Sequence, residues 1–455
     1  MAFPDGFLWG VATASYQIEG TPSAAGGGGS VWDIFCRRPG AVHAGESGAV
    51  ACDHFNRYRE DVALMAELGV PNYRMSIAWP RVLPSGTGKV DENGLAFYDR
   101  LVDELLAKGI QPHVTLFHWD LPIDLYYKGS WLNRDIVGWF EDYAKVVVDK
   151  LGDRVASWMT LNEPQVFIGM GYQSGEHAPG DKYDWPEILR IGHHALLAHG
   201  VAAQVIRSGA KKGCDLGWAP VGGTMCPASD SKEDIEAARQ IMFSCQDRNV
   251  WGNTWWNDPI FFGRYPEDGL RMWGEQMPKG WEKDMETIFQ TPDFFGMNTY
   301  TGSPAKMGED GPEVVKHRQG IGRTIYHWAV TPEALYWGPR FFFERYGKPI
   351  VVTENGIGLS DWVHLDGKVH DPGRIDFLDR YISQFRKAGE DGVAIKGYFQ
   401  WSFMDNFEWH QGYMHRFGLV YVDYQSQKRI PKDSAYWYRD TIASNGANLK
   451  APAAS

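Results

Sequence analysis

The sequence predicts a (β/α)8 barrel with long loops, and three observations point to it. Short apolar, β-branched runs alternate with amphipathic helical patterns along the chain. Such alternation implies parallel strands with helices packed outside them. No Pro- or Ser-rich linker divides the 455 residues, so one large domain accounts for the length. Polar and aromatic residues stand directly behind the apolar runs, as they would at the carboxyl ends of buried strands. A doubly wound sheet is the alternative.

Taken in order, Phe7–Ala14 ("FLWGVATA") is the first strand. In "DHFNRYREDVALMAELG", Phe55, Tyr58, Val62, Met65 and Leu68 recur at helical spacing, with Gly69 as C-cap. Asn72–Ile77 is the second strand, "GLAFYDRLVDELLAKG" the next helix and Gln111–His118 the third strand. Further strands are predicted over Val155–Leu161, Asp215–Val221, Asp293–Asn298, Pro349–Glu354 and Val393–Trp401. A ninth run, "RFGLVYVD", reads as a loop hairpin. "SAAGGGGS" (Ser23–Ser30) has a linker's composition, but the apolar "VWDIF" follows at once, so it reads as a tight surface loop. Residues 1–445 are expected to form one catalytic domain, and 446–455 a frayed tail.

The net charge of −12 lends no support to nucleic-acid or anionic-membrane partners. No apolar run approaches the roughly 18 residues that span a bilayer. The opening "MAFPDGFLWG" lacks the basic region and apolar core of a signal peptide. The cysteines Cys36, Cys52, Cys214, Cys226 and Cys245 are odd in number and not in C-x-x-C spacing. They read as free thiols of a cytoplasmic protein, with a Cys214–Cys226 pair left open. The 20 Trp, 21 Tyr and 23 Phe fit a packed core or a pocket lined with flat rings.

Two glutamates stand at the tips of apolar runs. "VVTENG" (Val351–Gly356) carries Glu354, and "SWMTLNEPQ" (Ser157–Gln165) carries Glu163. In a barrel both would face one mouth, joined by Arg74, His118, Trp119, Asn162, Asn298, Tyr300 and Trp401 from other strand ends. No phosphate loop, dinucleotide fingerprint or metal cluster accompanies them. Glycoside hydrolysis needs such a pair: one carboxyl protonated to donate to the leaving oxygen, the other ionised to attack the anomeric carbon. Asn162 is placed to hold a sugar hydroxyl, and Arg74 and Tyr300 to keep Glu354 anionic. For either glutamate alone, an exposed or salt-bridged carboxylate is the competing reading. In "IGHHALLAHG", His193, His194 and His199 lack metal-ligand spacing and read as part of a packed or solvated helix. His177 in "SGEHAPG" either lines the mouth or caps a turn.

Four stretches of this chain resemble glycoside hydrolase family 1, the β-glucosidase family. "FLWGVATASYQIEG" is similar to its N-terminal signature, "TLNEP" to its acid/base motif and "VTENG" to its nucleophile motif; "DNFEWHQGYMHRFGLVYVD" resembles its sugar-pocket segment. The resemblance runs from about Phe3 to about Asp440. It implies a (β/α)8 barrel that cleaves terminal non-reducing β-D-glucosyl residues, with β-D-galactosyl or β-D-fucosyl ones as further candidates. It also implies retention of configuration, a covalent intermediate and no cofactor or metal. Small β-glycosides or oligosaccharides are the implied partners, with a homo-oligomer left open. By the same resemblance Glu163 is the general acid/base and Glu354 the nucleophile. Gln17, His118, Asn162, Glu408 and Trp409 would hold sugar hydroxyls, and Trp401 would be the floor under the sugar. Tyr300, Asn298 and Arg74 would surround the nucleophile. Trp119 and Phe417 would close the pocket, and Trp328 would flank the leaving group.

Three departures bear on the leaving group. Gln165 stands where many members have Trp after "NEP", which predicts a more polar site. "HWAVTPEAL" lacks the usual Gly-Trp pairing around Trp328, and His410 replaces the small residue common after "EW". Two rivals are a phospho-β-glycosidase of the same family and a sugar-binding protein on a dead barrel. The dead barrel would lose one carboxylate, and both are present. Glu408 argues against the first, as an ionised acceptor suited to hydroxyls and a poor host for phosphate.

Overall fold

The computed structural model describes residues 2–22 and 28–450. Eight parallel strands close into a barrel: β1 (Leu8–Ala12), β2 (Asn72–Ser76), β3 (Gln111–Phe117), β4 (Ser157–Asn162), β5 (Asp215–Ala219), β6 (Phe294–Asn298), β7 (Ile350–Asn355) and β8 (Ile395–Trp401). β8 pairs with β1 in register Leu8 to Gly397 through Ala12 to Trp401, and β1 pairs with β2 to complete the ring. The strands coincide with eight predicted runs to within a few residues. They are buried almost throughout, because helices cover the outer face and side chains fill the inner one. That is why they read as continuous apolar runs rather than alternating ones.

Helices fall where the apolar period places them. The helix His54–Glu67 buries Tyr58, Val62 and Met65. It stops where Gly69 takes φ +63° and the Val70 amide donates to the Met65 carbonyl. The helix Glu92–Ala107 buries Leu95, Tyr98, Leu101, Val102 and Leu105, and the Asp91 carboxylate caps it by accepting from the Asn93 and Gly94 amides. Among the described residues no helix is long and apolar enough to cross a membrane.

The ninth run forms a hairpin, Val420–Asp423 against Lys428–Pro431. A three-stranded sheet, Thr224–Pro227, Gly302–Gly308 and Gly311–Val314, was not foreseen. Its strands are short and carry Pro and Gly, and only Thr224–Pro227 alternates in burial, over four residues, so their pairing in the fold makes them strands. Of the Gly-rich stretch, residues 23–27 lie outside the described residues. Ser30 is buried, and its hydroxyl and the Asp33 carboxylate form a capping box for Val31–Phe35. Of the expected tail, Leu449 is buried and the Ser383 hydroxyl donates to the Lys450 carbonyl; residues 451–455 lie outside the described residues. All five cysteines are free thiols, Cys214 and Cys226 included.

The loops after β7 and β8 are joined by a buried ionic cluster. Lys432 Nζ donates to Asp361 Oδ2 at 2.6 Å and to Asp405 Oδ1 at 2.7 Å. Arg416 holds the other oxygen of Asp405, and Arg374 holds Asp361 and Asp371. Removing one partner leaves buried charge uncompensated. Lys432→Met is therefore expected to cost about 3–5 kcal/mol, read as a lowered urea midpoint; a midpoint within error of the parent's would refute this reading of the cluster.

Candidate active site

Glu163 directly follows β4 and Glu354 is the penultimate residue of β7. Backbone pairing is irregular at both ends: the β4–β5 register shifts between Met159 and Asn162, and the β6–β7 register between Val352 and Glu354. Glu163 adopts φ +44° and is the N-cap of a short helix begun by Pro164. Trp119 (φ +80°) and Trp409 (φ +53°) are also left-handed. Each such conformation costs about 1–3 kcal/mol and persists where surrounding structure enforces it. All three side chains line one cavity of about 570 Å³ with Glu354. Gly356, just behind Glu354, lies so close to the Trp401 carbonyl that any Cβ would collide with it. The position therefore takes glycine.

The two carboxyls have unequal surroundings. Arg74 from β2 donates through Nη1 to Glu354 Oε1 at 2.6 Å and to the Thr353 carbonyl at 3.0 Å. Its Nη2 donates to Asn162 Oδ1 at 2.6 Å. Tyr300 donates to Glu354 Oε2 at 2.8 Å. Burial raises both carboxyl pKa values. For Glu354 the Arg74 charge and the bonds from Tyr300, Arg74 and Asn298 oppose it. Glu163 is pushed well above the usual range by burial first and by Glu354 second. Glu354 is thus the first of the pair to ionise. Burial exceeds mutual repulsion as the cause of the Glu163 shift.

The other predicted residues divide into two groups. His118, Trp119, Asn298, Tyr300, Trp328, Trp401, Glu408, Trp409 and Phe417 line the cavity with the two glutamates. Gln17, Arg74 and Asn162 stand behind that wall. Gln17 Nε2 donates to Asn406 Oδ1, to the Phe407 carbonyl and, at 3.4 Å, to Glu408 Oε2. Its buried Oε1 has no protein partner. Asn162 Oδ1 accepts from Arg74 and Asn298, and its amide meets His118 Nε2 at 3.2 Å. The His118 ring stacks near Trp401 and Trp409, with centroids 5.8 and 6.0 Å away.

Two sequence expectations change here, and two left open are decided. Glu408 is buried, and burial pushes its carboxyl up to about 8 against the bonds from Tyr326 and Gln17. It is therefore not a fully ionised acceptor near neutral pH. Gln165 does not face the cavity: it is buried and exchanges hydrogen bonds with the Val221 backbone. A more polar leaving-group site cannot come from it. His177 lines the cavity, and its Nε2 lies 2.8 Å from His410 Nδ1. His193, His194 and His199 are buried and bonded to Asp284, the Trp131 carbonyl and Thr160.

Sequence reasoning passed over Tyr326 and Asp120. Tyr326 donates to Glu408 Oε1 at 3.0 Å, and no apolar period marks its loop. Asp120 follows "HW" at the end of β3 and accepts from the Ser15 hydroxyl at 2.8 Å, which seats the turn carrying Gln17. Its place in "HWD" was the available signal. A larger hollow of about 870 Å³ lies on the outer surface, but its carboxylates Glu236 and Glu344 are tied to Arg239.

The model of glycosyl hydrolase family 1 matches residues 1–447. This chain belongs to that family. It is 47% identical over 446 residues to Beta-glucosidase A of Thermotoga maritima, covering 98% of each chain. It is 42% identical to Beta-glucosidase A of Acetivibrio thermocellus, covering 98% of this chain and 99% of the relative. A solved structure of the Thermotoga maritima β-glucosidase in complex with glucoimidazole superposes with a TM-score of 0.89 at 46% identity, over 98% of this chain and 99% of that one.

Because Gln165 is packed away from the cavity, Gln165→Ala should lower stability by about 1–2 kcal/mol. The ratio of aryl to alkyl β-glucoside hydrolysis should not change. Rates for both substrates and a urea melt check this; a shifted ratio would return Gln165 to the leaving-group site.

Proposed function

We propose that this family 1 enzyme is a retaining β-glucosidase that releases terminal β-D-glucosyl residues through a covalent intermediate on Glu354. The observation that carries the reading is the inequality of two glutamates on one cavity. Glu354 is held by a cation and a phenol, which favour its ionised form. Glu163 is driven toward its protonated form by burial and by the Glu354 charge, and the Arg74 cation, paired with Glu354, opposes this only weakly. Such a pair can protonate a leaving oxygen and attack the anomeric carbon in the same step. Once Glu354 is esterified its charge is gone, the Glu163 pKa falls, and Glu163 can deprotonate the incoming water. The Thermotoga maritima relative binds glucoimidazole and deoxynojirimycin, and glucose-like inhibitors fit the same assignment.

We assign the remaining roles on position. Trp401 is the floor beneath the sugar. His118, Trp409 and Glu408 meet its hydroxyls, Gln17 braces Glu408 from behind the wall, Asn162 orients His118 and Arg74, and Trp119 and Phe417 close the sides. Trp328 flanks the leaving group with His177 and His410. Residues 1–445 act as one catalytic domain. Phosphorylated glycosides suit the cavity poorly, since among the described residues no lysine or arginine lines it.

Glu354→Ala and Glu163→Ala should each lower turnover by about 10²–10⁴-fold or more. Azide should restore Glu354→Ala with an α-glycosyl azide product. With Glu163→Ala and an activated leaving group, azide should give the β product. Product stereochemistry by NMR decides it, and interchanged products would reverse the assignment.

The pH–rate profile should be bell-shaped. Activity rises as Glu354 ionises and falls as Glu163 loses its proton. Tyr300→Phe removes a bond that lowers the Glu354 pKa, so the acid limb should move to higher pH while the basic limb stays. Movement of the basic limb alone would contradict these roles.

A further inference from the structure

Tyr326 has no role above, though it belongs to the tight turn that carries Trp328. The Thr324 amide donates to the Trp328 carbonyl, the His327 amide to the Thr324 carbonyl, and Arg323 to the His327 carbonyl. The turn presents two parallel rings to the cavity, Tyr326 and Trp328, with centroids 4.6 Å apart and planes at 11°. The edge of His415 packs on Tyr326 with centroids 4.2 Å apart. The phenol is thereby fixed in direction, and it points at Glu408 Oε1.

In its ionised form the Glu408 carboxylate offers about four acceptor sites. Tyr326 and Gln17 occupy one on each oxygen of Glu408, which leaves about two. We propose that Tyr326 is a positioning residue for sugar recognition: its phenol holds Glu408 so that the two free acceptor sites meet the sugar hydroxyls farthest from the scissile bond. This rests on the β-glucosidase reading. The electrostatics agree. Burial works against an ionised Glu408, and so does the Glu354 charge; the Tyr326 bond is the largest opposing influence and Gln17 follows. The other titratable groups nearby are Glu163 and Tyr300 on the cavity wall and His415 behind Tyr326. None is a fixed cation. Without the phenol, Glu408 would keep its proton to higher pH and lose acceptor capacity.

The test compares the parent chain with Tyr326→Phe on 4-nitrophenyl β-D-glucoside and β-D-fucoside, which differ only at the 6-hydroxyl and the axial or equatorial 4-hydroxyl, both remote from the scissile bond. A 6-deoxy-β-D-glucoside isolates the 6-hydroxyl. Tyr326→Phe should raise KM for the glucoside about tenfold at neutral pH, the worth of one charge-assisted hydrogen bond. Its kcat should change little, and KM for the 6-deoxy substrate should rise clearly less. The pH at which KM for the glucoside tightens should move upward. In a Glu408→Gln background, where nothing titrates at that position, adding Tyr326→Phe should cost little more. Equal losses on all substrates, a loss confined to kcat, an unmoved pH dependence or a full additional loss beside Glu408→Gln would each overturn the inference. A parent chain that hydrolyses none of these glycosides would instead overturn the β-glucosidase reading.

Discussion

The Arg74 guanidinium is the interaction on which the centre of this barrel depends. It is almost fully buried, and it joins three strands: β2, which carries it, β7 through Glu354 and the Thr353 carbonyl, and β4 through Asn162. Asn162 in turn aligns His118 and accepts from Asn298, whose side-chain Oδ1 accepts from the Thr353 hydroxyl. A planar fork of donors suits this task, since one lysine ammonium could not hold a carboxylate and an amide in fixed directions. One cation thus sets the orientation of side chains that lie far apart in the chain.

Around that cation the cavity gathers three buried carboxyls, Glu163, Glu354 and Glu408. Desolvation makes three simultaneous charges costly, so protons are retained where the local bonds are weakest. Glu354 receives the guanidinium and a phenol, Glu408 receives a phenol and an amide, and Glu163 receives the least. The resulting wall of mixed donors, acceptors and flat rings matches a neutral polyhydroxylated ring better than an anion. The strain at Trp119, Glu163 and Trp409 is sustained by the barrel beneath, whose strands are paired all the way round.

The family 1 assignment and this geometry support each other without depending on each other. The match runs along nearly the whole chain, while the inequality of the two carboxyls follows from hydrogen bonds and burial. The departures at Gln165, His410 and the Trp328 turn separate cleanly in the structure. Gln165 is a packing residue, His410 pairs with His177 at the cavity, and the turn before Trp328 delivers Tyr326 to Glu408.

By itself the sequence determined the eight strands and singled out the two glutamates, because each rests on local pattern; it left a doubly wound sheet beside the barrel, and the pairing of β8 with β1 decided between them. A strand buried on both faces must be apolar along its length, and a carboxylate at its tip is visible against that run. The helix ending at Gly69 was legible for the same reason, as a left-handed position beside a periodic segment. Tertiary structure alone decided what depends on the approach of distant segments. The sheet built from Thr224–Pro227, Gly302–Gly308 and Gly311–Val314 carries no period long enough to read along the chain. The direction of Gln165, away from the cavity, follows from the Val221 backbone. The upward push on the Glu408 carboxyl and the phenol of Tyr326 set upon it follow from burial between loops 82 residues apart. Desolvation and hydrogen-bond direction are properties of the folded neighbourhood, and no spacing along the chain encodes them.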